Sequence, residues 1–264
     1  MSENFENYNY IGKNLDLIRE KINKAVLNRD NKYKNKYNGT VEKVRLLAVT
    51  KTVEAEKINF AISKGVNLIG ENKVNELLEK YDKLNKNGLE IHFIGNLQTN
   101  KVKYIIDKVS LIQSVNSVRL AEEINKRAAQ KNIKMDILIE LNIGEEESKT
   151  GIKSEDTLEF LNALKDFKNL SVKGLMTIPP PLEKLKNIEN SIKTDEKSEI
   201  KKFFDKMYQI FIDISSKKLD NIIDNINILN FSVLSMGMSE DFEEAISCGA
   251  NIVRIGRAVF GERL

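Results

Sequence analysis

Cysteine and histidine each occur once in this 264-residue chain, as Cys248 and His92. A single cysteine excludes an intramolecular disulfide and a thiolate-built zinc site, and it fits a reducing compartment. A single histidine excludes metal sites that need two imidazoles. Charge of one sign is also lacking: 42 basic residues face 39 acidic ones, a net charge of +3. So mild and evenly spread a balance argues against nucleic acid or an anionic membrane as partner. No stretch approaches the apolar length of a membrane span. The N-terminal MSENFENYNY lacks the basic start and apolar core of a secretory signal, so a cytoplasmic location is expected. Proline is confined to Pro179-Pro180-Pro181, which must end any strand that reaches it.

What is present is a regular alternation. Ile11, Leu15, Ile18, Ile22 and Ala25 recur at helical spacing and predict an amphipathic helix ahead of everything else. Short apolar runs then predict strands at Leu46–Val49, Val66–Ile69, Ile91–Ile94, Val109–Ile112, Met135–Leu141, Val172–Met176, Ile228–Leu234 and Ile252–Ile255. Helical patterns separate them, with Ser117 and Ser239 placed to cap two of the helices. Eight such strands in one domain's length of chain predict a single α/β domain over 1–264, a (β/α)8 TIM-type barrel with an extra N-terminal helix; a doubly wound open sheet is the fallback. Residues 28–43, rich in Lys and Asn, are expected to be a flexible connection. Residues 179–197 are expected to form a mobile surface loop.

Lys51 closes the first run, Leu46-Leu47-Ala48-Val49-Thr50-Lys51. An amine at the end of a buried strand loses solvation, which lowers its pKa and exposes the lone pair that Schiff-base chemistry requires. A lysine snorkelling its charge to water from a strand end would show the same pattern. Barrel chemistry gathers where strands end, and the loops after the seventh and eighth strands commonly bind phosphate. Those loops here read Leu234-Ser235-Met236-Gly237-Met238-Ser239 and Arg254-Ile255-Gly256-Arg257. A lysine opposite glycine-lined loops and beside an arginine describes a pyridoxal 5'-phosphate site.

The strings LLAVTK, GEN, HFIGNLQTNK, GEEESKTG, GLMTIP, LSMGMS and RIGRAVFGER, in this order, resemble the pyridoxal phosphate homeostasis protein family. Its barrels are related to the N-terminal domain of alanine racemase. The resemblance implies a non-catalytic, monomeric binder of pyridoxal phosphate that manages the free cofactor, with pyridoxal-phosphate-dependent apoenzymes as recipients. Lys51 would carry the cofactor as a Schiff base. Ser239, Gly256 and the backbone of Arg257 would hold the phosphate, with Met236 and Gly237 in the adjoining loop. Arg254 would face the pyridine nitrogen, and Asn72 would line the cofactor's edge.

Each residue also has a plainer reading. Ser239 and Asn72 could be helix caps, Arg254 an inward arginine paired with a carboxylate, and His92 a core histidine. The acids Glu240 and Asp241 beside the phosphate loop should point outward. Two positions depart from the family: Arg257 stands where a small hydroxyl residue is usual, and Asn96 where a histidine is usual. The alternative functions are a racemase or decarboxylase of the same cofactor fold, and a cofactor-free aldolase using Lys51. Alanine racemase draws a tyrosine base from a second, β-rich domain, and none is expected here.

Overall fold

The structure is a computed structural model that describes residues 7–32, 43–146, 150–180, 196–216 and 231–262. Eight strands, β1 (Arg45–Val49), β2 (Leu68–Glu71), β3 (Glu90–Phe93), β4 (Leu111–Val115), β5 (Met135–Leu141), β6 (Leu170–Thr177), β7 (Val233–Ser235) and β8 (Ile252–Ile255), pair in parallel and in chain order, and β8 closes on β1. The expected barrel is therefore observed, with nearly continuous apolar strands because each is covered on both faces.

Side-chain alternation splits the interior in two. One set, including Ala48, Ile69, Ile91, Ile112, Ile137, Leu175, Leu234 and Val253, packs outward against the helices. The other set fills the lumen: Leu47, Val49, Leu68 and Ile252 in one cluster, Leu111, Leu138 and Met176 in another. Lys51 shares the parity of Leu47 and Val49, so its position continues the lumen row at the C-terminal mouth.

The N-terminal helix α1 (Asn9–Lys32) buries Ile11, Leu15, Ile18, Ile22 and Ala25, as their spacing predicted. It lies against the last two helices, α8 (Phe242–Ser247) and α9 (Arg257–Phe260). Tyr10 Oη donates to Phe260 O at 3.1 Å and Asn14 Nδ2 to Val259 O at 3.1 Å, so α1 clamps the short helix that follows β8.

Several boundaries differ from expectation for identifiable reasons. β2 starts at Leu68 rather than Val66 because Val66 completes the end of α2 (Ala55–Ser63). With Gly65 at φ +87°, Val66 N–H reaches back to Ala61 O and Gly65 N–H to Ile62 O. This is a left-handed helix stop whose following apolar residue packs on the helix. Val109 likewise bonds to Ile105 O ahead of β4. Residues 28–32, expected to be flexible, belong to α1, and residues 196–197 begin α7 (Glu196–Ser215). Of the two expected loops, residues 33–42 and 181–195 lie outside the described residues, as do residues 228–230 of the run Ile228–Leu234. Ser239 does not cap α8: Asp241 occupies that position, and its Oδ1 accepts the Met238 N–H. Ser117 does cap α5 (Val118–Gln130), accepting from Leu120 N–H at 3.3 Å. No helix among the described residues is long and apolar enough to cross a membrane.

Gly174 marks the tightest strand contact. A Cβ there would sit 1.8 Å from the Val233 carbonyl oxygen, so only glycine lets β6 lie this close to β7. Gly174→Ala is expected to lower stability in urea unfolding by about 3 kcal/mol, the upper range for overpacking. A loss under about 1 kcal/mol would contradict that contact.

Candidate functional site at the barrel mouth

Lys51 sits half-buried just past β1, on a turn closed by Val53 N–H bonding to Thr50 O at 3.0 Å. The next residue, Thr52, has φ +61°, a left-handed conformation that a β-branched side chain adopts only under constraint. The constraint is visible. Thr52 N–H donates to Glu76 Oε2 at 2.7 Å, and Lys80 Nζ donates to Thr50 O at 2.9 Å and to Glu71 Oε1 at 3.0 Å. Thr50 Oγ1 also donates to Glu71 Oε1, at 2.6 Å. Two carboxylates and one ammonium from the β2–α3 unit, α3 being Val74–Tyr81, thus grip the peptide units on either side of Lys51. Burial raises the Glu71 pKa, while Thr50 and Lys80 oppose the rise; its Oε2 has no partner among the described residues.

Asn72 follows β2 at the same rim. Its Oδ1 is buried without a hydrogen-bond partner among the described residues, and α3 begins after Lys73 with no side-chain cap. Asn72 is therefore not a cap. Its backbone is pressed against Gly95, where a Cβ would come within 2.1 Å of Asn72 O.

Across the rim, Gly237 has φ +92°, and a Cβ there would meet the Ala245 Cβ at 2.6 Å. Gly237 O accepts Arg254 N–H at 2.9 Å, which ties the loop after β7 to β8. Among the described residues no acceptor meets the backbone N–H of Gly237, Ser239, Gly256 or Arg257. Four unmet amides at one edge make a cradle suited to an anion. Met236 contributes backbone only, since its side chain is buried in the outer core. The Arg257 guanidinium turns away and pairs with Glu240 Oε1 at 2.7 Å on the surface. Glu240 thus points outward as expected. Asp241 does not: it is 4% exposed, and burial raises its pKa.

Arg254 is the deepest cation, 4% exposed. Nη1 donates to Ser235 Oγ at 2.8 Å and Nη2 to Thr177 O at 2.7 Å, which uses two of the five guanidinium donors. Burial pulls its pKa down to about 10, with Asp241 and Glu140 opposing, so it stays charged at neutral pH. The carboxylate pair of its plainer reading is absent among the described residues; neutral oxygens hold the guanidinium. Glu140, 6% exposed at the end of β5, accepts from Thr150 Oγ1 at 2.9 Å, and burial raises its pKa.

The expected site residues thus converge on one arc of the rim, on strands adjacent in the order β7, β8, β1, β2. The Glu71–Lys80–Glu76 grip and the partners Ser235, Thr177 and Glu140 were not expected. Glu140 had a signal, an acid inside the apolar run Met135–Leu141; the others are polar residues whose meaning depends on the fold. Lys149 lies outside the described residues. His92 is 2% exposed and takes a hydrogen bond from Gln113 Nε2 on Nδ1 at 2.9 Å, so it is a lumen histidine. No group of three or more possible metal ligands occurs among the described residues.

The model of the family described as alanine racemase, N-terminal domain, matches residues 31–264. The pyridoxal phosphate homeostasis protein of Aquifex aeolicus strain VF5 is 43% identical over 219 residues, covering 83% of this chain and 87% of that protein. An unknown protein from Bifidobacterium adolescentis superposes with TM-score 0.78 at 27% identity, covering 98% of this chain and 97% of that one. PipY of Synechococcus elongatus PCC7942, solved without PLP, superposes with TM-score 0.69 at 26% identity, covering 83% of this chain and 93% of PipY. The structure of PipY with PLP bound has the same fold, with TM-score 0.68 at 24% identity, covering 89% and 100%.

Two predictions follow from the rim's charges. Lys80→Met removes the cation shared by Glu71 and Glu76, and leaving buried Glu71 unpaired should cost about 3 kcal/mol in chemical denaturation. A change under about 1 kcal/mol would contradict the grip. Burial lowers the His92 pKa below its ordinary value, so below about pH 6.5 the unfolded chain binds a proton that the folded one refuses. The stability that neutral His92 provides is present above that pH and is lost as pH falls through the window below it. The drop in Tm from pH 8 to pH 5.5 should therefore be smaller in His92→Gln than in the parent; equal drops would contradict a buried, neutral imidazole.

Proposed function

The chain belongs to the pyridoxal phosphate homeostasis protein family, built on the alanine racemase N-terminal domain barrel, and from that premise we propose that it binds pyridoxal 5'-phosphate at the rim between β7 and β2 and serves in intracellular homeostasis of that cofactor. One observation carries this reading: among the described residues, four backbone amides without acceptors and a buried guanidinium that uses two of its five donors lie on the same rim as Lys51. Such an edge suits a ligand with a phosphate at one end and a ring nitrogen that accepts a hydrogen bond.

On this reading the amides of Gly237, Gly256 and Arg257 and the Ser239 hydroxyl hold the phosphate. Met236 sets the loop's backbone, Asn72 Oδ1 meets the ring's edge, and Arg254 donates to the pyridine nitrogen. Lys51 would hold the cofactor's aldehyde carbon as a Schiff base, the two protons of its neutral amine leaving with the aldehyde oxygen as water. The bound group supplies a reactive aldehyde and an electron-accepting ring.

A binding role is favoured over turnover by the cation at the ring nitrogen. A guanidinium cannot accept the ring's proton, and its charge disfavours a pyridinium, so the ring is a weak electron sink. The racemase barrels of the same fold keep the enzymatic alternative in view, and a racemisation assay separates the two. Alanine racemisation should stay well below about 1 per second, an ordinary enzyme's rate; reaching it would refute the binder. The binder acts as a monomer, its site drawn from one chain, with apoenzymes that need the cofactor as recipients.

Phosphate recognition is the discriminating test. Two or more charge-assisted hydrogen bonds at about 1.5 kcal/mol each predict that pyridoxal binds roughly 100-fold more weakly than its phosphate. Ser239→Ala alone should cost about 1–3 kcal/mol, and a bulky residue at Gly256 more, because it blocks close backbone approach. Equal affinity for pyridoxal and its phosphate in a spectroscopic titration would move the cradle elsewhere.

A further inference from the structure

A file of polar side chains crosses the lumen beneath the rim. Arg254 Nη1 donates to Ser235 Oγ at 2.8 Å, and Ser235 Oγ donates to Gln113 Oε1 at 2.7 Å. Gln113 Nε2 then donates to His92 Nδ1 at 2.9 Å. His92 Nε2 faces Glu90 Oε2 at 3.6 Å, longer than a close hydrogen bond. Glu90 is held by Arg45 through Nη2 at 2.7 Å and Nη1 at 3.2 Å. The file thus runs from β8 and β7 across to β4 and β3, then down to β1 at the floor. Ser235, Gln113 and His92 are all but fully buried, whereas Arg45 and Glu90 are part-exposed.

The sense of the bonds is consistent from both ends. Arg254 can only donate, so Ser235 accepts from it and keeps its single proton to give to Gln113 Oε1 at 2.7 Å. That turns the Gln113 amide nitrogen toward His92, and an amide NH2 can only donate. His92 Nδ1 must therefore carry its lone pair, leaving the ring proton on Nε2, toward Glu90. The other end agrees: the ring of His92 and the guanidinium of Arg45 hold the Glu90 carboxyl ionised, with a pKa of about 2, so Glu90 is an acceptor only. Turning the Gln113 amide over would put the ring proton on Nδ1 and set the Nε2 lone pair of a neutral His92 against the Glu90 carboxylate.

Well-packed apolar side chains of similar volume often match or exceed buried polar or ionic groups in stability. The polar file instead holds the Nη1 side of Arg254 to Ser235, while Nη2 is held by Thr177 O.

We propose that the file is a positioning device for the cofactor site, in which His92, acting through Gln113 and Ser235, holds the Arg254 guanidinium against the pyridine ring. This rests on the reading of the rim as a pyridoxal phosphate site, and it assigns work to three residues that touch no ligand. His92 is then a positioning residue, coupled to the ring through three side chains, Gln113, Ser235 and Arg254.

The chain's sole histidine makes the test direct. In full-length protein labelled with 15N-histidine, nitrogen NMR at neutral pH without cofactor should show one neutral tautomer, with Nδ1 unprotonated and Nε2 protonated. Gln113→Glu replaces the donor to Nδ1 with an acceptor, so the ring should become protonated on both nitrogens. Adding pyridoxal phosphate to the parent protein should move the Nδ1 resonance as the protein turns yellow. Ser235→Ala should turn yellow without that movement, and Ser235→Thr, which keeps the hydroxyl, should restore it. A mixed or Nδ1-protonated tautomer in the cofactor-free parent would overturn the file. So would an unchanged ring in Gln113→Glu, or a yellow parent whose His92 signals do not move. A parent that stays colourless would overturn the cofactor reading and with it the file's purpose, while the cofactor-free tautomer still judges the file's geometry.

Discussion

A guanidinium buried among neutral oxygens is the constraint on which the rim depends. Arg254 stays charged at neutral pH, and no carboxylate among the described residues pairs with it in contact. Ser235 and Thr177 supply the dipoles, and Asp241 and Glu140 supply attraction from further off. A buried cation is tolerated only where such partners are fixed. The closed barrel fixes them: β6, β7 and β8 bring Thr177, Ser235 and Arg254 together, and the bond from Arg254 N–H to Gly237 O aligns the cradle loop with the same strand. Closure of the sheet, placement of the charge and shape of the cradle are one arrangement.

The opposite side of the rim is controlled differently. Lys51 is set by a strained turn, with Thr52 at φ +61° held by Glu76 and Thr50 held by Lys80. The strain is offset by charged groups of α3, so the strand end keeps its geometry without a ligand. Behind the cradle, α1 pins α9 through Tyr10 and Asn14. A site built this way is formed in advance, which favours retention of a cofactor.

Much of this was legible in the sequence. Eight apolar runs separated by helical patterns give the barrel, and the parity of Leu47, Val49 and Lys51 gives the lysine's place. The loops LSMGMS and RIGR mark the cradle. What was not legible depends on contacts between distant segments. Val66 reads as strand but ends a helix, because Gly65 at φ +87° turns it back onto Ala61. Asp241 reads as a surface acid but is buried beneath the Met238 amide. His92 and Gln113 lie 21 residues apart, and Gln113 and Ser235 lie 122 apart, so their file exists only once the barrel has closed. The direction of the Arg257 guanidinium was not legible either; it pairs with Glu240 at the surface.

The most direct measurement on the central claim is borohydride reduction of the cofactor-saturated protein followed by peptide mass mapping. Reduction makes a Schiff base permanent, so the labelled lysine is the one that holds the ring. The expected result is pyridoxyl mass on Lys51, lost in Lys51→Ala while the barrel remains folded. Label on Lys80 or Lys149 in place of Lys51, or no label at all, would contradict the site described here.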